Sequence, residues 1–439
     1  MFGYYFMLGV RSLRRNPVIT SLMVLTLAVG VAASVSTLTI LHVMSGDPIP
    51  GKSDRLLVPL LDPGPANTYV PGKKNPYLNQ STYRDSLNYL ASGQGVRRTV
   101  MFDVGGSVEP AHRDQPLVDL SGIATTADFF PMFEVPFLHG NPWTADDDKR
   151  GAQVAVLSKK ASEKLFGKVD PVGRRIRIWN TEFTVGGVLA DWHPLPRYDH
   201  LVNGSGGQLA GEDEILVPFR TAIALQLQSN GSVSCSADNK PGYQGLLDSE
   251  CVWLQPWFEL ASAADRPALQ SWLDAYVADQ RKLGRLERHA PNRLFDVMQW
   301  IGFMDVVEAD QKASVWLSFG FLLLCMVNTM GLLLAKFAAR APEVGVRRAL
   351  GASRLEVFQQ FLLEAGVVGF AGGLLGLALA GAALWAIGEQ SKELSVAAHM
   401  DWAMLAATFA IAVAASLLAG LLPTWRAAQV TPALQLKSQ

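Results

Sequence analysis

The sequence has little charge, almost no net charge and few cysteines. Of its 439 residues only 3 are Cys, and charged residues make up 18%, below the roughly 25% of an average soluble domain. With 38 basic and 39 acidic residues the formal net charge is −1, so the basic surplus of a nucleic-acid-binding protein is missing. The chain also lacks the G-x-S-x-G and H-E-x-x-H patterns, and we predict no catalytic site and no metal site in it.

What the sequence does have is long apolar runs. About 20 mostly apolar residues cross the hydrocarbon core of a bilayer, and four stretches qualify: residues 17–44, about 315–338, about 357–387 and about 402–424. The third contains one carboxylate, Glu364, near its beginning. The sequence therefore predicts an integral membrane α-helical protein with four transmembrane helices.

The excess of basic residues in the short flanks of these spans falls on one side. Arginines precede the first span, Lys and Arg fill the connection between the second and third over residues 339–355, and Arg426 and Lys437 follow the fourth. Because short cytoplasmic flanks carry the excess of Lys and Arg, we expect both termini to be cytoplasmic. Residues 1–16 place Phe2, Phe6 and Val10 on one helical face, which predicts a cytoplasmic amphipathic helix.

Between the first two spans lies a large segment, residues 45–312, that we predict to be an extracytoplasmic α+β domain. Residues 174–189 alternate as a β-hairpin with Asn180 and Thr181 at the turn, and residues 269–277 have the spacing of an amphipathic helix. Cys235 and Cys251 both fall in this domain. In an oxidising compartment they are a candidate disulfide.

Three motifs suggest chemistry but favour simpler interpretations. Residues 46–53 match the phosphate-loop pattern G-x-x-x-x-G-K-S, but a membrane helix precedes them and two prolines remove backbone amides. Asp191, His193, Asp199 and His200 lack the spacing of a zinc site and predict a solvated loop. Asp146, Asp147 and Asp148 lack the glycine of a calcium loop and predict a charged turn.

Small residues recur every fourth position in the third and fourth spans. Gly369 and Gly373, and likewise Gly372 and Gly376, have this spacing, which lets helices approach closely. We predict a packed interface there, with Gly369, Gly373 and Gly376 as packing residues. Whether it lies within one subunit or between two is left open, as is the sharper alternative of a substrate groove.

The connection between the second and third spans carries a specific resemblance. Residues 340–353 read RAPEVGVRRALGAS and residues 354–365 read RLEVFQQFLLEA. This resembles the E-(I/V)-G-(I/V)-R-x-A-(L/V)-G-A-x…Q-Q-F-L-x-E-A signature of FtsX/MacB-type ABC transporter permeases. In the large domain, residues 165–173 (LFGKVDPVG) and 185–188 (VGGV) resemble the MacB-type periplasmic core domain.

The resemblance implies the permease subunit of a type VII ABC transporter in the bacterial inner membrane, with its large domain periplasmic. Such a subunit transmits cytoplasmic ATPase motion by mechanotransmission to drive efflux of a small molecule, peptide or lipid-like substrate. It is not an enzyme and holds no cofactor, because ATP and Mg²⁺ bind a partner ATPase, expected to be a separate chain. The residues implied to couple to that ATPase are Glu343, Gly345, Arg347, Arg348, Ala349, Leu350, Gly351, Ala352 and Ser353.

The implied partners are that ATPase, a second permease in a homo- or heterodimer, and the lipid bilayer, without nucleic acid. A periplasmic adaptor and an outer-membrane channel are further partners that the resemblance leaves open. The alternative function is an FtsX-like regulator that relays ATPase motion to a periplasmic cell-wall hydrolase.

Overall fold

The computed structural model describes residues 16–64, 66, 70, 79–108, 117–201, 212–235, 240–307, 309–390 and 402–429. The chain forms two compact units. The membrane unit consists of Met1–Ser45 with Val307–Gln439, and the inserted domain is Gly46–Val306. The amphipathic helix predicted over residues 1–16 lies outside the described residues except for residue 16, as does the predicted cytoplasmic tail beyond residue 429.

The described helices, in chain order, are α1 (Pro17–Ser45), α2 (Tyr83–Ala91), α3 (Phe129–Met132), α4 (Ala145–Arg150), α5 (Lys159–Phe166), α6 (Phe219–Ala224), α7 (Tyr243–Asp248), α8 (Arg266–Lys282), α9 (Val297–Phe303), α10 (Ala309–Ala338), α11 (Ala341–Ala349), α12 (Arg354–Gln390) and α13 (Trp402–Ala428). The described strands are β1 (Leu56–Leu60), β2 (Ser81–Thr82), β3 (Arg97–Val108), β4 (Val118–Thr125), β5 (Phe137–Gly140), β6 (Val154–Leu157), β7 (Arg175–Ile178), β8 (Thr181–Leu189), β9 (Ile215–Pro218), β10 (Val252–Glu259) and β11 (Arg293–Asp296).

The membrane unit is a bundle of apolar helices. Over the described part of the chain, α1, α10, α12 and α13 are long and apolar enough to cross a membrane, close to the predicted spans. At 1.5 Å rise per residue, the 37 residues of α12 reach about 55 Å, well beyond the roughly 30 Å of a hydrocarbon core. Helix α12 packs against α1 and α13, and α10 also packs against α1.

The inserted domain is built on one mixed sheet with strand order β11-β1-β10-β3-β4-β9-β6-β8-β5; β2 pairs with β10, and β7 with β8. The pairs β4–β9 and β6–β8 are parallel and the other pairs antiparallel. One core, called here the aromatic core, packs aromatic rings among many aliphatic side chains, and the ring centroids of Phe102 and Trp253 in it are 4.9 Å apart. A second core forms where Leu269, Leu273 and Val277 of α8 pack near Phe258.

The predicted hairpin exists, but its turn lies one residue earlier than we predicted. Ile178 pairs with Thr181, so Trp179 and Asn180 form the two-residue turn, with φ of 52° and 56°. Two consecutive positive φ values fit a type I′ turn, whose twist matches that of the strands it joins. Sequence alternation alone is compatible with either register, and the prediction chose the wrong one.

Cys235 and Cys251 form a disulfide in the inserted domain, with a Cα–Cα distance of 4.2 Å. Cys251 is buried beside Trp253 in the aromatic core. The bridge therefore joins the end of the described segment 212–235 to the residue that immediately precedes β10, an interior strand of the sheet.

Candidate functional site

The candidate site is the joint between α10 and α12, where the short helix α11 lies. Arg340 is the N-cap residue of α11, and Pro342 stands in its first turn, where proline is well tolerated. The helix ends at Ala349 with Leu350 as its C-cap residue, and Gly351, the next residue, has φ of +106°. Glycine enters this region at little cost, so the predicted coupling residue Gly351 makes the turn from α11 towards α12.

Ser353, another predicted coupling residue, immediately precedes α12 and caps its N-terminus. Its Oγ accepts a hydrogen bond from the Glu356 N–H at 3.2 Å, and the Glu356 carboxylate accepts one from the Ser353 N–H at 2.8 Å. This reciprocal pair is a capping box, which satisfies two backbone donors that a helix start leaves free. The S-x-x-E spacing fixes where the long membrane helix starts.

One side of α11 is anchored in the membrane unit by apolar packing. Val344 is buried in a cluster with Phe337 of α10 and with Val357 and Phe361 of α12. The ring centroids of Phe337 and Phe361 are 4.3 Å apart. Gly345, also a predicted coupling residue, is buried beside Val344.

The opposite side of α11 is open. Val346 is 54% exposed, Leu350 83% and Leu355, at the start of α12, 63%. Arg347 donates a hydrogen bond to the Glu343 carboxylate at 2.6 Å and another to Gln360 at 3.1 Å. Apolar and charged groups are therefore interleaved on one accessible surface, together with Ala349 and, partly, Arg348 and Ala352.

A shallow recess separates α11 from α12. Its empty volume, including open solvent, is about 280 Å³. It is lined by Arg340, Glu343, Val344, Arg347, Val357, Gln360 and Phe361.

Behind this joint is a buried ion cluster that sequence reasoning missed. The Glu364 carboxylate is 2.7 Å from Lys336 Nζ through one oxygen and 2.9 Å from Arg340 Nη1 through the other. The side chains of Lys336 and Glu364 are 0% and 2% exposed. The sequence did contain one indication of this cluster, the single carboxylate of Glu364 in an apolar span. It did not show that Lys336, 28 residues earlier, would lie against that carboxylate.

The predicted packing glycines lie at interfaces within this one chain. A Cβ on Gly369 would be 1.7 Å from Ser416 Oγ of α13, and one on Gly373 would be 2.9 Å from Ala412 Cβ. A Cβ on Gly376 would be 3.1 Å from the Ala28 carbonyl oxygen of α1. Helices α1, α12 and α13 therefore pack at distances that only small residues permit.

The phosphate-loop match is not a nucleotide site. Residues 46–55 form turns that lead into β1, with no helix after the G-K-S. Lys52 Nζ donates to the Pro131 carbonyl and is 3.4 Å from a carboxylate oxygen of Glu259. The lysine that would contact phosphate is used in the fold, so no step of ATP chemistry is assigned to these residues.

The loop predicted to be solvated is partly buried, which corrects that prediction. Asp191 and His193 are exposed, but Asp199 and His200 are fully buried. They lie against Asp103 of β3, Arg197 and Asp213, and His200 Nδ1 is 3.1 Å from an Asp103 oxygen. Among the described residues no group of three or more His, Cys, Asp or Glu side chains could hold a metal ion.

Burial sets the protonation of this acidic group. It raises the pKa of Asp103 to about 8, with further upward contributions from Asp213 and Asp199 that outweigh the opposing effect of Arg197. Burial also raises the pKa of Asp213 to about 6, and it holds the pKa of His200 well below its usual range. At neutral pH a protonated Asp103 can donate a hydrogen bond to neutral His200.

The aspartates at 146–148 belong to a helix rather than the predicted turn. Thr144 and Asp147 form a capping box at the start of α4. Asp148 accepts hydrogen bonds from the Ala127 N–H and from the indole N–H of Trp143. These carboxylates are used in local structure.

Two domain families match the chain. The MacB-like periplasmic core domain matches residues 20–276, and the FtsX-like permease C-terminal domain matches residues 315–432. The first match alone covers more than half of the 439 residues.

Curated relatives agree with these matches. The pyoverdine export ATP-binding/permease protein PvdT of Pseudomonas aeruginosa is 27% identical over 317 residues, which cover 71% of this chain and 41% of the relative. The macrolide export ATP-binding/permease protein MacB of Marinobacter nauticus is 26% identical over 445 residues, which cover 98% of this chain and 60% of the relative. The chain spans about half the length of the curated relatives it matches.

Among solved structures, the periplasmic region of MacB from Actinobacillus actinomycetemcomitans is similar at 13% identity and a TM-score of 0.33. The match covers 56% of this chain and 91% of that one.

Proposed function

This chain belongs to the MacB/FtsX-like ABC transporter permease family, and from this premise we propose that it is a non-catalytic membrane subunit that transmits ATPase motion to its inserted domain. The relatives are named as exporters of pyoverdine and of macrolides. By analogy we propose that the transmitted motion drives export of a small molecule, peptide or lipid-like substrate.

The observation that carries the proposal is the accessible surface of α11. Val346, Leu350 and Leu355 are exposed beside the Glu343–Arg347 pair. A surface that only faced lipid tails would not carry such charges. Mixed apolar and charged groups on a short helix that is anchored from behind fit a protein partner, and we propose that this partner is an ABC ATPase that binds ATP and Mg²⁺.

Orientation in the membrane is part of the proposal. The basic residues around α11 favour the cytoplasmic side, where ATP is available. The inserted domain would then be periplasmic and the membrane the bacterial inner membrane.

The proposed complex contains two permeases. Trp316 and Leu317 of α10 are 79% and 74% exposed, which suits contact with lipid or with a second copy or a related permease. A periplasmic adaptor and an outer-membrane channel remain proposed partners of the inserted domain.

The regulator of a cell-wall hydrolase is the less favoured function. The MacB-like match extends through residue 276, and so includes most of the inserted domain. That extent supports an export role over the alternative.

The test is to purify the tagged chain from its native membrane, identify the proteins that accompany it, and measure ATP hydrolysis in the eluate. The variant reverses both charges, Glu343→Arg with Arg347→Glu. The two side chains can still pair across one helical turn, so α11 is kept while the charges presented to a partner are inverted. We expect the ATPase to be lost from the eluate.

The matched control reverses another exposed intrahelical pair, Asp279→Lys with Lys282→Asp on α8, where the original groups are 2.7 Å apart. This variant should retain the ATPase. If the unchanged chain never recruits an ATPase even when genes neighbouring its own are co-expressed, the proposal is wrong. Equal ATPase loss in both variants would contradict the role of α11.

A further inference from the structure

The Glu364 cluster spans the point where α10 ends and α11 begins. Lys336 is in the last turn of α10, and Arg340 is the N-cap residue of α11. One carboxylate of α12 contacts both, at 2.7 and 2.9 Å. Lys336 Nζ also lies 3.4 Å from Thr20 Oγ1 of α1. Glu364 thus links α12 to α10 and to the start of α11, and Lys336 extends the cluster to α1.

Because these ions are buried, separating them costs more free energy than it would in water. Glu364, Lys336 and Thr20 are 2%, 1% and 5% exposed as residues, so water does not compete for the ions. In such surroundings an ion pair is stronger than in water, and removing one partner leaves an uncompensated charge. Val344, Phe337 and Phe361 also pack at the joint. Apolar packing is not directional, so it constrains the orientation of α11 less than the ion pairs do.

We propose that Glu364 is a positioning residue that sets the orientation of α11 relative to α1, α10 and α12. It holds Arg340 at the start of α11 and Lys336 at the end of α10 with its two oxygens, so the joint between them cannot bend without separating charges. The consequence for coupling rests on the proposed function: a force on α11 from a bound ATPase reaches the membrane helices through this carboxylate.

The experiment measures the position of α11 in the full-length chain in lipid nanodiscs, without any ATPase. Cys325→Ala removes the one free cysteine among the described residues. Spin labels are then placed at Val18→Cys on α1 and Val346→Cys on α11, positions that are 80% and 54% exposed. Pulsed electron spin resonance gives the distribution of distances between them.

We expect Glu364→Gln and Lys336→Met each to broaden this distribution by about twofold or more. Glu364→Gln leaves the buried Lys336 without its carboxylate, and Lys336→Met removes the contact that joins Glu364 to α10 and leaves the carboxylate only Arg340. Glu364→Asp, which keeps the charge on a shorter side chain, should broaden it less. The matched control is Lys312→Met at an exposed position of α10, which should leave the distribution unchanged.

One further variant separates the ions from the packing. Lys336→Met with Glu364→Leu removes two charges and preserves apolar volume, so it is expected to fold even if the single variants do not. A broadened distribution in this variant supports the proposal. A distribution as narrow as in the unchanged chain, in this variant or in Glu364→Gln, overturns it. Because no ATPase is present, this result is independent of whether one co-purifies.

Discussion

Burial of Asp103 raises its pKa into the neutral range, so the stability of the inserted domain should depend on pH there. Its pKa of about 8 and that of Asp213, about 6, lie above the roughly 3.9 expected in an unfolded chain. Between these values the folded state binds protons that the unfolded state has released. Below about pH 6.5 the lowered pKa of His200 acts in the opposite direction, because the unfolded state then binds a proton that the folded state does not. From about pH 6.5 to 8 the stability of the inserted domain should therefore fall as the pH rises, by up to about 1.4 kcal/mol per pH unit from Asp103.

Urea unfolding of residues 46–306 at pH 5, 6, 7 and 8 measures this slope. Asp103→Asn should flatten it, because the amide does not titrate. Asp146→Asn, at an exposed position of α4, is the control. A steep slope that survives Asp103→Asn would assign the effect to other groups.

The lack of a side chain at Gly369 allows α12 to pack closely against α13. A Cβ there would also lie 2.3 Å from Ser416 Cβ, so Gly369→Ala must move α12 away from α13 or displace Ser416. Such overpacking costs about 1–3 kcal/mol. The thermal unfolding midpoint of the purified chain in detergent should fall.

The comparison is Gly381→Ala on the same helix, where an added Cβ would meet nothing within 4 Å. Alanine favours helix over glycine by about 1 kcal/mol, so this variant should unfold at the same or a higher temperature. Equal effects at the two positions would mean that close packing of α12 and α13 is not what Gly369 provides.

At the scale of elements, the start of α12 depends on its cap. Ser353→Ala removes the hydroxyl that accepts the Glu356 N–H bond, at an expected cost of about 1 kcal/mol. Hydrogen exchange of the first turn, residues 354–357, should accelerate. The control is Ser271→Ala on α8, where the hydroxyl only donates to the carbonyl four residues earlier. This variant should leave hydrogen exchange at residues 354–357 unchanged.

Elements with a strong local pattern could be predicted from the sequence. The long apolar runs predicted the membrane helices to within a few residues, and the spacing of Leu269, Leu273 and Val277 predicted α8. The turn at Trp179 and Asn180 was misplaced, because alternation does not determine register. The partners of Glu364 and of Asp199 were not predicted, since burial of ions depends on contacts between segments that are distant in sequence.

At the scale of the whole molecule, the inserted domain has its own cores and its own disulfide. We expect residues 46–306, secreted into an oxidising compartment, to fold alone as a cooperative unit. Near-ultraviolet circular dichroism, sensitive to the buried aromatic residues, should show one sharp unfolding transition. If residues 46–306 alone gave no near-ultraviolet circular dichroism signal, the expectation that this domain folds independently would be wrong.

The disulfide should add to that stability. In the chain-entropy model, closing a loop of about 15 residues contributes about 3 kcal/mol. The double variant Cys235→Ser with Cys251→Ser should unfold at lower urea concentration than the bridged domain. Cys325→Ala lies in the other unit, and in the full-length chain it should leave the unfolding of the inserted domain unchanged.

The two ends of the inserted domain lie side by side in its sheet. Strands β1 and β11 pair antiparallel, and the Val297 N–H donates to the Ser53 carbonyl at 3.1 Å. A segment whose two ends meet can be removed or replaced without stretching the chain that carries it. This domain should therefore be exchangeable as a unit: we expect chimaeras that join a different domain to the same membrane helices at these two strands to remain foldable.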